Sequence, residues 1–267
     1  MRRRLGLTTT QPDDPAVTLG PLSLSGGQAH PGHRWGFGAF LFVEAVLLAS
    51  AAFVSVLLGP PAAGQATPVR DVLIGTIIPT LLAALAAVLI TLWRGNGPVL
   101  DLRLEWSWSD LKLGLKLGVF GLVLTTVSAV IWSHAVGRSN ATSAIGALVE
   151  NQPMSVTAAV IMFGYLWLLG PVCEEIIYRG LLWGAVERLH WGAEKYGRLA
   201  AFLLSTALFA VSHLEPLRTT LLLVIALPIG LARLLTGRLP AAIVVHQMNN
   251  FLPALATLLT SLGLMTL

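Results

Sequence analysis

From residue 36 onward the chain alternates long apolar runs with short polar breaks. The runs fall at about 36–58, 72–93, 116–133, 154–189, 198–214, 217–235 and 239–263, and most approach the ~20 residues that a helix needs to cross a bilayer. Lipid offers no partners to backbone N–H and C=O groups, so runs of this length fold as helices. The pattern predicts an all-α, polytopic transmembrane helix bundle of about seven spans, with counts of six to eight compatible with it. Three blocks follow. Residues 1–34 read as a disordered cytoplasmic tail, 35–153 as N-terminal transmembrane helices, and 154–264 as a helical core. The tail carries Arg2, Arg3 and Arg4, then Pro12, Pro15, Gly26, Gly27 and Pro31, without helical periodicity. Its first apolar run starts too late for a signal peptide, so no cleavage is expected.

Within the spans, Pro79 predicts a kink in the second. The connection over 94–116 holds Trp106, Trp108, Lys112 and Lys116 and reads as interfacial, since tryptophan favours the headgroup level and lysine reaches out of it. Gly114 and Gly118 form a small-xxx-small pair that permits close helix packing without naming the partner. The fourth run is unusually long.

Composition sharpens this reading. The chain is 55% hydrophobic and 11% charged, against roughly 25% charged residues in soluble proteins. A net charge of +4 does not imply nucleic acid, because the basic residues sit at run ends rather than in a patch. Arg34, Arg94, Arg103, Lys112, Lys116, Arg188, Lys195, Arg198, Arg233 and Arg238 fall on one side of the predicted bundle, whereas Arg70, Arg138 and Arg218 fall on the other. The positive-inside rule therefore places the N-terminus in the cytoplasm and the C-terminus outside. Cys173, the single cysteine, excludes an intrachain disulfide and reads as a small hydrophobe rather than a nucleophile.

Against this apolar background, the stretch Cys173-Glu174-Glu175-Ile176-Ile177-Tyr178-Arg179-Gly180 stands out. Acids in a span are costly and normally face protein or a wet cavity. Glu175 and Arg179, four residues apart, share a helix face and can pair. Glu174 lies about 100° around the helix and is free to act as a general base. Glu44, near the start of the first run, reads as interfacial. Two histidines lie in apolar helix: His213 after Phe209, and His246 ahead of Asn249 and Asn250. Counted from the hairpin around 188–198, Glu174 and His213 both sit about 21 to 23 Å into the bundle at 1.5 Å per residue. His246 lies nearer its own helix start, an offset that a tilted or re-entrant segment between Gly237 and Pro240 would remove.

Glu-Glu-x-x-x-Arg, Phe-x-x-x-His and His-x-x-x-Asn, in that order and each in an apolar helix, resemble the CPBP family of intramembrane proteases. That family includes type II CAAX prenyl endopeptidases and bacteriocin-processing relatives. The resemblance covers about 155–260 and implies a conical or open membrane cavity holding the polar site. It implies that Glu174 activates water with help from His213, while His246 and Asn250 hold the oxyanion. Glu175 and Arg179 would support the site and Phe209 would pack it. Asn249 is adjacent to Asn250, and family spacing favours the latter.

Glu174, His213 and His246 could supply three ligands to zinc with water as the fourth, although His-Glu-x-x-His is absent. No cofactor is firmly implied, and metal-free glutamate chemistry is preferred. The competing reading is a non-enzymatic transporter or scaffold using the buried Glu/His cluster for protons or cations; the chain shows no repeat of the motif-bearing helices, as many transporters would. The expected partners are the lipid bilayer and a membrane-embedded or lipidated peptide, with no nucleic acid. Fourteen arginines against three lysines suit a GC-rich bacterial genome, which favours a membrane-tethered peptide or bacteriocin leader over a prenylated substrate.

The charge pattern makes a topological prediction: a tag at residue 1 is protected from external protease in intact cells, and a tag after Leu267 is accessible. Both tags on the same side would overturn the odd span count.

Overall fold

The computed structural model describes residues 34–149 and 152–265, so all but the last residue of the tail expected over 1–34 lies outside the described residues. Among these, every regular element is helical. α1 (Phe37–Leu58) and α2 (Val69–Arg94) form a hairpin around Pro60 and Pro61, and a short α3 (Pro98–Asp101) follows. α4 (Trp108–Val136) begins earlier than expected. Ser107 caps it by accepting from the Ser109 N–H, so Lys112 and Lys116 ride on its first turns rather than in a connection. Trp106 and Trp108 stay exposed, edge to face at 6.0 Å.

Two short helices, α5 (Arg138–Ala141) and α6 (Ala144–Val149), precede the long central element over 156–187. It comprises α7 (Val156–Gly164), a π-helical stretch at Tyr165–Leu169, α8 (Gly170–Glu175), a second π stretch at Ile176–Leu182, and α9 (Trp183–Glu187). Pro171 has no N–H and would crowd the carbonyl four residues back. The wider turn just before it relieves that clash and brackets Glu174 and Glu175 with irregular helix, as π-bulges often do at functional sites.

α10 (Glu194–Ser212), α11 (Thr219–Thr236) and α12 (Leu239–Ser261) complete the bundle. Six helical segments are long and apolar enough to cross a membrane: α1, α2, α4, the element over 156–187, α11 and α12. α10 is not among them, because its first turns carry Glu194, Lys195 and Arg198. It nevertheless runs the length of the bundle. It starts beside the end of α9, and the loop after it accepts a hydrogen bond at Leu217 O from Trp132 Nε1, near the far end of α4.

The main core wraps the central element. Ile177, Leu181, Leu182 and Trp183 are all but fully buried and meet Phe40 and Val43 of α1, Ala83 and Ala87 of α2, and Phe209 of α10. At the basic end, burial lowers Arg188 to about 10, with Asp101 opposing that shift, and its guanidinium lies 3.9 Å from the Trp35 ring centre. Hydrogen bonds that Arg238 donates to Asp110 raise the Arg238 pKa still further, and the two residues tie the start of α4 to the start of α12 at 2.5 and 2.8 Å.

α12 lies parallel to α4 along a stripe of small residues. Gly114 faces Ala241 and Val244, Gly118 faces Met248, and Gly121 faces Asn249. The unnamed partner of the glycine pair is therefore the helix that carries His246 and Asn250. A Cβ at Gly121 would fall 2.7 Å from Asn249 Oδ1, whereas one at Gly75 of α2 would meet nothing within 4 Å. Gly121→Leu should thus destabilise the detergent-solubilised protein by about 1–3 kcal/mol through overpacking, read as a lower melting temperature. Gly75→Ala should be neutral or slightly stabilising, gaining up to about 1 kcal/mol of helix propensity.

Candidate active site

α8 presents its two carboxyl groups differently. Glu175 points inward and is fully buried, whereas the Glu174 side chain keeps 26% of its exposure. Glu175 Oε1 accepts hydrogen bonds from Arg179 Nη1 at 3.0 Å and from His246 Nδ1 at 2.9 Å. The i, i+4 spacing thus does give a pair, with both side chains inaccessible to solvent. It also takes in His246, which lies near the start of the last helix. His246 Nε2 stands 3.7 Å from Glu174 Oε2, beyond hydrogen-bond length but close enough for both to face one small guest. The outcome is a continuous chain, Arg179–Glu175–His246–Glu174, running from fully buried to accessible.

No re-entrant segment is needed to bring His246 to this depth. α12 starts as regular helix already inside the bundle: Leu239 is fully buried and its N–H donates to Arg103 O at 2.8 Å. From there α12 runs antiparallel to the central element, so Gln247 donates to Leu168 O at 3.2 Å and Asn250 Nδ2 to Leu166 O at 3.1 Å. Helix phase separates the two asparagines. Asn250 faces the central element, whereas Asn249 is wedged against Gly121 with both amide atoms buried and unpartnered.

His213 sits elsewhere than its motif suggests. α10 ends at Ser212, and His213 is its exposed C-cap rather than an interior residue. The chain cannot continue as helix because Pro216 follows two residues after Leu214, which takes the left-handed conformation at φ 54°. His213 Nδ1 donates to Phe209 O at 2.7 Å, which leaves Nε2 outward. No hydrogen bond joins His213 to Glu174 among the described residues. Phe209 connects the groups instead. Its ring lies 4.7 Å from that of His213, 5.6 Å from His246 and 5.5 Å from Tyr178, with the Arg179 guanidinium 4.5 Å from its centre.

Several neighbours were not singled out by sequence reasoning. Tyr178, one turn after Glu174, is buried against Phe40 and Phe209; its i+4 spacing from Glu174 was the available signal. Tyr165 donates to Thr76 O at 3.2 Å from the first π stretch. Glu44, read above as interfacial, faces Tyr178 and Ser212; a lone acid in an otherwise apolar run was its signal.

A three-ligand metal set does not form here. Among the described residues no three His, Cys, Asp or Glu side chains gather as a metal-holding group. Of the three, only Glu174 and His246 stand close, at 3.7 Å. Glu174, His213 and His246 as arranged do not fit zinc.

Residues 156–252 match the family model described as Type II CAAX prenyl endopeptidase Rce1-like, which belongs to the CPBP family. This segment, about a third of the chain, is similar to that family, which its description gives as one of endopeptidases. The match spans Glu174, Glu175, Arg179, Phe209, His213, His246 and Asn250, and leaves α1 to α6 outside. No curated protein and no solved structure matches the chain.

Within the matched segment, Glu175 is held by Arg179 at 3.0 Å and by His246 at 2.9 Å. Arg179→Ala leaves a buried carboxylate held by His246 alone and should cost about 3 kcal/mol, read as a fall in melting temperature and in yield of monodisperse protein. A variant as stable as the wild type would remove the pair from the argument.

Proposed function

We propose that this protein is an intramembrane endopeptidase that hydrolyses a peptide bond of a membrane-associated or lipidated substrate, entering from a membrane whose cytoplasmic side holds the N-terminus. The observation carrying the reading is the graded chain from buried Arg179 to accessible Glu174. Glu175 accepts a hydrogen bond from His246 Nδ1 and fixes the ring, so Nε2 is aimed at the space that Glu174 borders.

The chemistry assigned to these groups is as follows. Glu174 takes a proton from water, and the water oxygen bonds to the scissile carbonyl carbon. The carbonyl π electrons move to oxygen, and a protonated His246 Nε2 with the Asn250 amide donates to that oxyanion. Glu175 across Nδ1 compensates the charge of the ring when both nitrogens hold protons. The C–N bond then breaks, and the proton held by Glu174 passes to the leaving amine. Asn250 reaches the oxyanion by exchanging its bond to Leu166 O for one to substrate. His213, across Phe209, assists from the opposite side with its outward Nε2.

Glu174→Gln keeps size and shape but cannot take a proton. With purified protein and one defined membrane peptide, it should abolish cleavage while leaving a monodisperse protein of unchanged melting temperature. Asn250→Ala should lower kcat on the order of 10²-fold, the usual loss for an oxyanion donor. Cleavage by Glu174→Gln at the wild-type rate would end the proposal.

A further inference from the structure

Glu44 is the one charged residue of α1, whose mean hydropathy over its apolar window is 2.4. An acid within a span is costly and normally faces protein or a wet cavity, so its place needs a compensating interaction. It does not sit on the lipid face. Phe40, Val43 and Leu47 of the same stripe pack into the main core, and Glu44 Oε1 is itself buried without a closed hydrogen bond. The carboxyl group faces two hydroxyls, those of Tyr178 and Ser212, which also face each other.

Those two hydroxyls belong to the two sides of the site. Tyr178 follows Glu174 by one helical turn and is clamped edge-on between Phe40 and Phe209, at 6.1 and 5.5 Å. Ser212 is the last residue of α10 and immediately precedes His213. The segment beyond it is irregular, with Leu214 at φ 54°, so nothing in the local helix fixes the direction of His213 except its bond to Phe209 O. The carboxyl group of α1 that faces both hydroxyls stands between the end of α10 and the central element.

We propose that Glu44 is a positioning residue: its carboxyl accepts hydrogen bonds from Tyr178 and Ser212 and so holds His213 in place at the end of α10. This rests on the protease reading above, and it brings a residue from outside the matched segment into the site. Glu44 touches neither substrate nor reacting atoms; it acts through Ser212 on His213 and through Tyr178 on the helix bearing Glu174. A carboxamide can still accept from both hydroxyls, whereas an aliphatic side chain cannot.

The test compares wild type, Glu44→Gln, Glu44→Leu and the double variant Tyr178→Phe/Ser212→Ala, all purified, on one defined membrane peptide. Glu44→Leu should lower kcat about tenfold with KM within about twofold, and Glu44→Gln should stay within about threefold of wild type. Adding Glu44→Leu to the double variant should cost nothing further, since the three groups act as one unit. A second readout needs no turnover: labelling of His213 by diethyl pyrocarbonate, followed by mass spectrometry, should change several-fold in Glu44→Leu and not in Glu44→Gln. Wild-type kcat and labelling in Glu44→Leu, a Gln variant as slow as the Leu one, a loss confined to KM, or independent multiplicative losses would each overturn the proposal. If Glu44→Leu does not fold, the double variant decides, and its turnover at the wild-type rate overturns it. Glu174→Gln in the same assay tests the protease reading separately: cleavage by that variant sinks the reading, while the labelling still reports on Glu44.

Discussion

A carboxylate with no access to water constrains everything around Glu175. One oxygen takes both the Arg179 guanidinium and the His246 ring, and the cost of burying that charge is recovered only while both donors stay in place. The central element must therefore present Arg179 on the same face one turn later, and α12 must arrive at one depth and one rotation. Glu174, the next residue in the chain, inherits a fixed position without being part of the pair. The arrangement separates the two acids: the one buried and held by two donors is Glu175, and the one left accessible is its neighbour.

The surrounding architecture serves that depth requirement. Leu239 and the residues after it are buried from the first turn, so His246 lies deep although it is only seven residues into α12. Arg233 reinforces this corner by donating to Arg179 O at 3.0 Å, next to Trp183. Phe209 does more than fill space: one ring contacts both histidines, Tyr178 and Arg179.

The membrane helices and the paired acids were legible because lipid forces long apolar runs into helices and because charges in such runs are rare. The Glu175–Arg179 pair follows from spacing alone. The bond from His246 to Glu175 did not, since it depends on where α12 begins in depth, and the apolar pattern of Leu239 to Ala242 looks the same at either level. His213 was read as interior because Phe209 to Ser212 is continuous with it; the break is set two residues later, by Leu214 and Pro216. Glu44 was discounted because its partners, Tyr178 and Ser212, lie more than a hundred positions away. Among the two asparagines, only the close approach of Gly121 decides which amide turns toward the central element.

The glycine stripe of α4 has a consequence for what counts as a unit. Residues 156–252 hold every group assigned to the chemistry, yet the surface against which α12 takes its rotation and height belongs to Gly114, Gly118 and Gly121. The matched segment therefore takes the seat of its last helix from residues outside itself. That helix is a blade seated in a scabbard made by the preceding part of the chain, and bulk added at any of the three glycines is felt by the blade that carries His246 and Asn250.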